Sequence, residues 1–281
     1  MNLLEVRGLT KKYDGFLLDD VSFSLMPGYI MGFIGRNGAG KTTTIKAILN
    51  LIHRDKGEVY VDGKDFFKNE TELKKQIGFV MGEFDCYKKA EVRKLTDVMR
   101  RFYPEWDEDG YRGCLEKFSI DENKKISELS AGMRVKYALS LALSHNAKLL
   151  IFDEPTSGLD PVSRDELLDV FRSVISDGEH GILFSTHIIS DLEKCADQIT
   201  YIKKGRLLAS TDLDAFRESR RLVSGELSAL DAKKPYLIGY KQNAFGFTGL
   251  IYAEDEDKFG DCRTAPADLE SIMIYTEQEE K

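Results

Sequence analysis

The stretch Gly35-Arg36-Asn37-Gly38-Ala39-Gly40-Lys41-Thr42-Thr43 fits the pattern G-x-x-x-x-G-K-[ST] at every fixed position, and nothing else in the chain restricts its fold as tightly. Tyr29 to Ile34 before it form a short apolar run, and Thr43 to Leu49 after it open an amphipathic helix. The pattern predicts a strand-to-helix turn. There the backbone N–H groups of a Gly-rich loop and the positive end of the next helix can surround a polyphosphate. Gly35, Asn37, Gly38, Ala39, Gly40 and Thr43 belong to this expected cradle. Lys41 would reach the β- and γ-phosphates, and the Thr42 hydroxyl would hold Mg²⁺.

A chain of 281 residues has room for one large domain, or for one domain and a small appendage, because single cores stop growing at about 250–300 residues. The excess of 48 acidic over 40 basic residues, net charge -8, argues against a protein that coats nucleic acid or anionic lipid. Cys86, Cys114, Cys195 and Cys262 are scattered, with neither a C-x-x-C pair nor a histidine at zinc-finger spacing, so a metal site or disulfide framework is not expected and a reducing cytosol is. The first residues lack the basic and apolar segments of a signal peptide, and no run approaches the roughly 20 apolar residues that cross a bilayer. The expected location is therefore cytoplasmic. Work at a membrane would require another subunit to hold the chain there.

Strand patterns recur at 3–7, 20–25, 57–64, 77–81, 148–154, 181–186 and 198–203, with Asp62-Gly63 closing a hairpin. Helical spacing fills most of 88–146 and returns at 161–176 and 188–196. Strands that alternate with helices predict an α/β fold with a largely parallel sheet. Pro104 breaks the helical pattern beside Phe102, Tyr103 and Trp106, which are expected to pack a helix corner. Past Gly205 the alternation fades. Helices over 212–221 and 266–276 and two strands within 235–252 suggest a small α+β tail. The expected division is a nucleotide-binding domain at 1–210, with a helical part at about 84–146, and a C-terminal extension at 211–281.

Three further segments carry chemistry. An apolar strand that ends in Asp153-Glu154 offers one carboxylate to hold Mg²⁺ and a second to polarise an attacking water. Leu129-Ser130-Ala131-Gly132 opens a helix; read locally Ser130 is its N-cap, yet a hydroxyl and small residues at a helix N-terminus also suit an anion. Ser185-Thr186-His187 ends a strand, where His187 by itself reads as an ordinary strand-end histidine.

With these segments in this order, and with Pro155-Thr156-Ser157-Gly158-Leu159-Asp160 following Glu154, residues 1–210 resemble the ATP-binding-cassette (ABC) ATPases. The resemblance implies a P-loop NTPase core with a mixed parallel sheet, an antiparallel β subdomain and a helical subdomain. It implies ATP and Mg²⁺ as ligands, Glu154 and His187 as catalytic groups, Tyr13 as the aromatic on adenine, and Asp160 in the loop that faces ATP. It also implies a head-to-tail dimer in which Ser130 and Gly132 of one copy meet the ATP held by the other, beside a separate membrane permease at the inner face of the cell membrane. Two segments depart from the family pattern. Ala131 and Met133 replace a glycine and a glutamine, and Gly82-Glu83 stands where relatives carry a Mg²⁺-linked glutamine, so Glu83 is the expected substitute there. The narrower resemblance is to exporters of the bacitracin-resistance and phenol-soluble-modulin type, which implies export of peptides or drugs. The alternative is a soluble ABC ATPase acting as a switch in iron–sulfur cofactor assembly. A non-hydrolysing cassette is disfavoured because Glu154 is intact.

Overall fold

Strand β1 (Leu4–Tyr13) turns at Asp14-Gly15 into β2 (Phe16–Leu25), and the two pair antiparallel from Leu4 opposite Leu25 to Tyr13 opposite Phe16. The short β3 (Ile30–Ile34) then leads through residues 35–40 into α1 (Lys41–Ile48). β4 (Lys56–Val61) and the two-residue β5 (Lys64–Asp65) meet at Asp62-Gly63, and β4 returns to pair with β1. These strands form one antiparallel sheet in the order β2-β1-β4-β5. The computed structural model describes residues 1–81 and 87–278.

After α2 (Glu70–Leu73) and β6 (Ile77–Met81) come three helices, α3 (Val92–Arg100), α4 (Glu108–Lys117) and α5 (Ala131–Ser144). The chain then alternates through β7 (Leu149–Asp153), α6 (Pro161–Ile175), β8 (Gly181–Thr186), α7 (Ile189–Cys195), β9 (Gln198–Lys203) and β10 (Arg206–Asp212). Six strands make the second sheet, ordered β10-β9-β3-β8-β7-β6, and the run from β9 to β6 is parallel throughout. Every residue of β3, β7 and β8 is buried. Strands covered on both faces lose the polar alternation of a half-exposed strand, which is why these three read as continuous apolar runs. Phe171 of α6 lies 4.7 Å from the Phe152 ring and 5.9 Å from Phe184, and so closes one face.

The three helices are tied through a buried hydroxyl. Thr96 Oγ1 on α3 lies 2.7 Å from the Tyr111 hydroxyl on α4 and 2.8 Å from the Tyr137 hydroxyl on α5. Burial raises the pKa of both tyrosines, and the Tyr137 hydroxyl also donates to the Val92 carbonyl at 3.1 Å. Thr96→Val keeps the shape but removes this shared partner. It is expected to lower stability by about 1–3 kcal/mol, read as a shift in the urea midpoint with an unchanged slope. An unmoved midpoint would show that the network contributes nothing.

Two of the three aromatics around Pro104 pack as a corner. Tyr103 stacks on His145 at 3.9 Å and Trp106 sits 5.3 Å from Tyr111, whereas Phe102 points outward and is 66% exposed. The chain divides into two compact units, Met1–Ser210 and Thr211–Lys281. The second holds α8 (Leu213–Glu218), β11 (Arg220–Gly225), α9 (Leu227–Lys233), β12 (Gly239–Asn243), β13 (Gly246–Tyr252), β14 (Arg263–Pro266) and α10 (Leu269–Thr276). Its strands form an antiparallel sheet, β12-β13-β11-β14, over a small core of Val223, Leu230, Phe247, Ile251 and Phe259. The expected helix over 212–221 is corrected here: α8 stops at Glu218, and Arg220-Arg221-Leu222-Val223 enter a central strand. Pairing with β13 and β14 on either side decides their conformation. Among the described residues no helix is long and apolar enough to cross a membrane.

Candidate functional site

Parallel pairing of β3 with β8 and of β8 with β7 brings three loops together at the C-terminal ends of these strands. Such an edge is where open α/β sheets bind ligands. Residues 35–40 form the first loop. A Cβ at Gly35 would lie 2.3 Å from the Ile202 carbonyl oxygen, and Gly38 holds φ at 80°, so glycine is required at one position by space and favoured at the other by backbone angle. α1 begins at Lys41 with no side-chain cap and no acidic residue in its first turn. Its N-terminal donors are thus left for an anion.

The Lys41 side chain is only 6% exposed. Its ammonium donates to the Gly35 carbonyl at 2.7 Å and pairs with Glu154 Oε1 at 3.2 Å. The neighbouring Thr42 hydroxyl donates to Asp153 Oδ2 at 2.8 Å. Ser185 completes the arrangement: its hydroxyl donates to Asp153 Oδ1 at 2.6 Å and accepts from the Glu154 backbone N–H at 2.9 Å. Glu154 sits at φ 54°, a left-handed conformation that a side-chain-bearing residue adopts only where its surroundings enforce it. Its Oε2 lies 2.8 Å from His187 Nδ1. One spot therefore collects a buried cation, a hydroxyl paired with a carboxylate, and a second carboxylate bonded to a half-exposed imidazole.

Thr42 and Asp153 are the oxygen donors that suit Mg²⁺. Among the described residues no group of three or more His, Cys, Asp or Glu side chains could hold a metal alone. Gly82 and Glu83, the other expected metal-linked position, lie outside the described residues. Tyr13 ends β1 as a 43% exposed residue, with the Lys11 ammonium 5.3 Å from its ring centre.

Ser130 and Gly132 stand elsewhere in the chain. Ser130 Oγ accepts from the Met133 N–H at 3.2 Å as the N-cap of α5. Both residues line a groove with Met133, Lys136, Ser163 and Glu166, into which none of 35–43, Asp153, Glu154 or His187 enters. Asp160 caps α6 by accepting from the backbone N–H groups of Val162 and Ser163 and from the Ser163 hydroxyl at 2.6 Å. These bonds, that of the Ser163 hydroxyl foremost, hold its carboxyl below the usual carboxylate range. Ser185 escaped the sequence reading. The available signal was a small polar residue two positions before His187, at the end of a strand buried along its whole length.

Known proteins resemble this chain in sequence and in fold. The family described as ABC transporter matches residues 18–157, which include the phosphate loop and Asp153-Glu154. The ABC transporter ATP-binding protein YtrB of Bacillus subtilis is 32% identical over 97% of this chain and 97% of its own. The bacitracin transport ATP-binding protein BcrA of Bacillus licheniformis is 32% identical over 78% of this chain and 72% of its own. A solved ATP-binding subunit of an ABC transporter superposes with a TM-score of 0.69 at 29% identity, over 76% of this chain and 92% of that one.

Proposed function

Because this chain belongs to the ABC transporter family as an ATP-binding subunit that hydrolyses ATP, we propose that it works as a head-to-tail dimer of two copies closed around ATP-Mg. The dimer drives a separate membrane permease from the cytoplasmic face, and the cargo is a peptide or drug that is exported. The observation that carries the dimer is the separation of the two anion-suited surfaces. Lys41, Thr42, Asp153, Glu154 and His187 converge at one spot, while Ser130 and Gly132 line a groove that contains none of them. A second copy supplies the missing half to each site.

In this reading residues 35–43 bind the phosphates, Tyr13 stacks on adenine, and Ser130, Gly132 and Asp160 close on the nucleotide from across the dimer. Bound Mg²⁺, held by Thr42 and Asp153 with Glu83 as a further candidate, would neutralise phosphate charge. Glu154 accepts a proton from the attacking water, and His187, bonded to Glu154, senses the γ-phosphate. Two helix N-termini face one polyanion, so ATP joins the copies and its hydrolysis releases them.

The export reading draws on the relative that transports bacitracin. The permease contact is placed around residues 83–107. In the described part of that region Tyr87, Val98 and Phe102 are exposed, and Met99 and Tyr103 line, with Phe79, part of a cavity of about 310 Å³. Apolar side chains so arranged suit a short amphipathic helix. Co-purification tests the proposal: detergent-solubilised membranes should yield this chain with a polytopic partner. Full recovery in a soluble complex without one would overturn it.

A further inference from the structure

Asp191 lies in the first turn of α7, four residues past His187, and its side chain is 0% exposed. Neither carboxylate oxygen makes a hydrogen bond. A buried charge in that state is costly unless something else holds it in place. The groups that face it come mainly from the chain that follows Glu154. The Thr156 hydroxyl, fully buried and also without a formed hydrogen bond, is close enough to lower the carboxyl's pKa, as are Arg164, Lys194 and His187, although burial outweighs them and raises it. Arg164 Nε on α6 stands 3.7 Å from Asp191 Oδ1, and Arg164 Nη2 reaches the Leu159 carbonyl at 3.5 Å. Arg164 thus spans from the 154–160 loop to the helix behind His187.

The loop is held at its ends, at Glu154 by Ser185, Lys41 and His187 and at Asp160 by the α6 cap. Between them its own bonds are local turns, from the Ser157 N–H to the Glu154 carbonyl and from the Leu159 N–H to the Thr156 carbonyl, both at 3.2 Å. Glu154 begins it in a conformation that needs outside support. A second α6–α7 ion pair, Asp165 with Lys194 at 2.6 Å, lies on the exposed side, where such pairs contribute little.

We propose that Asp191 is a positioning residue for ATP hydrolysis: through Arg164 and Thr156 it fixes the 154–160 loop, and with it the Glu154 carboxylate, relative to His187. The long contacts in the cluster shorten when the site closes on ATP, as catalytic hydrogen bonds commonly do. The proposal rests on the reading of Glu154 and His187 as the hydrolytic pair. It assigns Asp191 no contact with nucleotide.

The test is steady-state Mg-ATP hydrolysis by the full chain, assayed well below each variant's thermal midpoint. Asp191→Asn and Arg164→Gln should each lower kcat by about 10- to 100-fold, since a misplacement of about 1 Å costs up to about 10²-fold in rate, while KM for ATP stays within about twofold. The double variant should fall no further than the weaker single one, because both cut the same tie. Arg164→Lys should recover part of the rate, and Asp165→Asn should match the unaltered chain. Wild-type kcat in either single variant, a loss confined to KM, or multiplicative losses in the double variant would overturn the proposal. If Asp191→Asn does not fold, Arg164→Gln, whose side chain is partly exposed, decides the matter by the same criteria. Unchanged turnover in Glu154→Gln would instead remove the hydrolytic-pair reading, an outcome separate from a normal Asp191→Asn beside an inactive Glu154→Gln.

Discussion

Glu154→Gln is expected to bind ATP, to hydrolyse it on the order of 10²–10⁴-fold more slowly, and to accumulate as a dimer at saturating ATP-Mg. The geometry separates these effects. Glutamine has the size of glutamate and keeps a hydrogen-bonding group near His187, 2.8 Å from the present carboxylate, so the loop at 154 has no steric reason to move. What disappears is a group able to accept a proton from water. Binding should persist because Lys41 and residues 35–43 are untouched. Removing a negative charge that now pairs with Lys41 at 3.2 Å also leaves that cation freer for phosphate. If hydrolysis is the step that parts the two copies, a chain that binds without hydrolysing stays joined. Phosphate release and light scattering with and without ATP-Mg read the two halves independently. A slow monomer would keep the role of Glu154 and abolish the ATP-closed dimer, whereas a fast variant would move water activation to another group.

How far such a site can be read from sequence depends on whether its parts are local. Residues 35–43 carry their geometry in adjacent positions: glycines where space or φ demands them, then Lys41 and Thr42 on the first turn of α1. Strands β3, β7 and β8 were equally legible because double-sided burial writes itself as unbroken apolar runs. The bonds that join these pieces were not. Ser185 holds both Asp153 and the Glu154 N–H, yet a serine at the end of a strand looks the same whether it does this or faces water. Asp191 was likewise invisible, since its partners Thr156 and Arg164 reach it only once α6 and α7 are folded side by side. The tail misled for a related reason. Arg220 and Arg221 directly follow a helix and carry no apolar alternation, and their strand exists because β13 and β14 flank it. Asp160 shows a further kind of gap. Its place in the motif suggested a residue that faces ATP, and the structure adds a local task, capping α6, which would favour an aspartate there with or without a nucleotide.

Lys41→Ala is expected to weaken ATP binding by about 10- to 100-fold, because a charge-assisted hydrogen bond contributes about 1.5–3 kcal/mol and each 1.4 kcal/mol is tenfold in affinity. Two opposing effects follow from its surroundings. The ammonium is almost fully buried and already engaged with the Gly35 carbonyl and Glu154, so part of its interaction with phosphate replaces bonds it makes without nucleotide. Against this, its partner here is one carboxylate, whereas the β- and γ-phosphates present several charges to the same buried cation, and attraction at a buried position is stronger than in bulk solvent. The phosphate interaction should prevail, which sets the loss at the size of a charged bond and not a neutral one. The same substitution strips Glu154 of its cation and leaves it beside the incoming anion, a repulsion that adds to the loss. Glu154→Gln in the Lys41→Ala background should therefore restore part of the affinity, and the recovery measures how much of the effect was repulsion. Nucleotide titration of both variants, with thermal midpoints as a folding control, gives the answer. Affinity unchanged within about twofold in Lys41→Ala, at a normal midpoint, would mean that the backbone cradle of 35–43 and the N-terminus of α1 bind the phosphates without it.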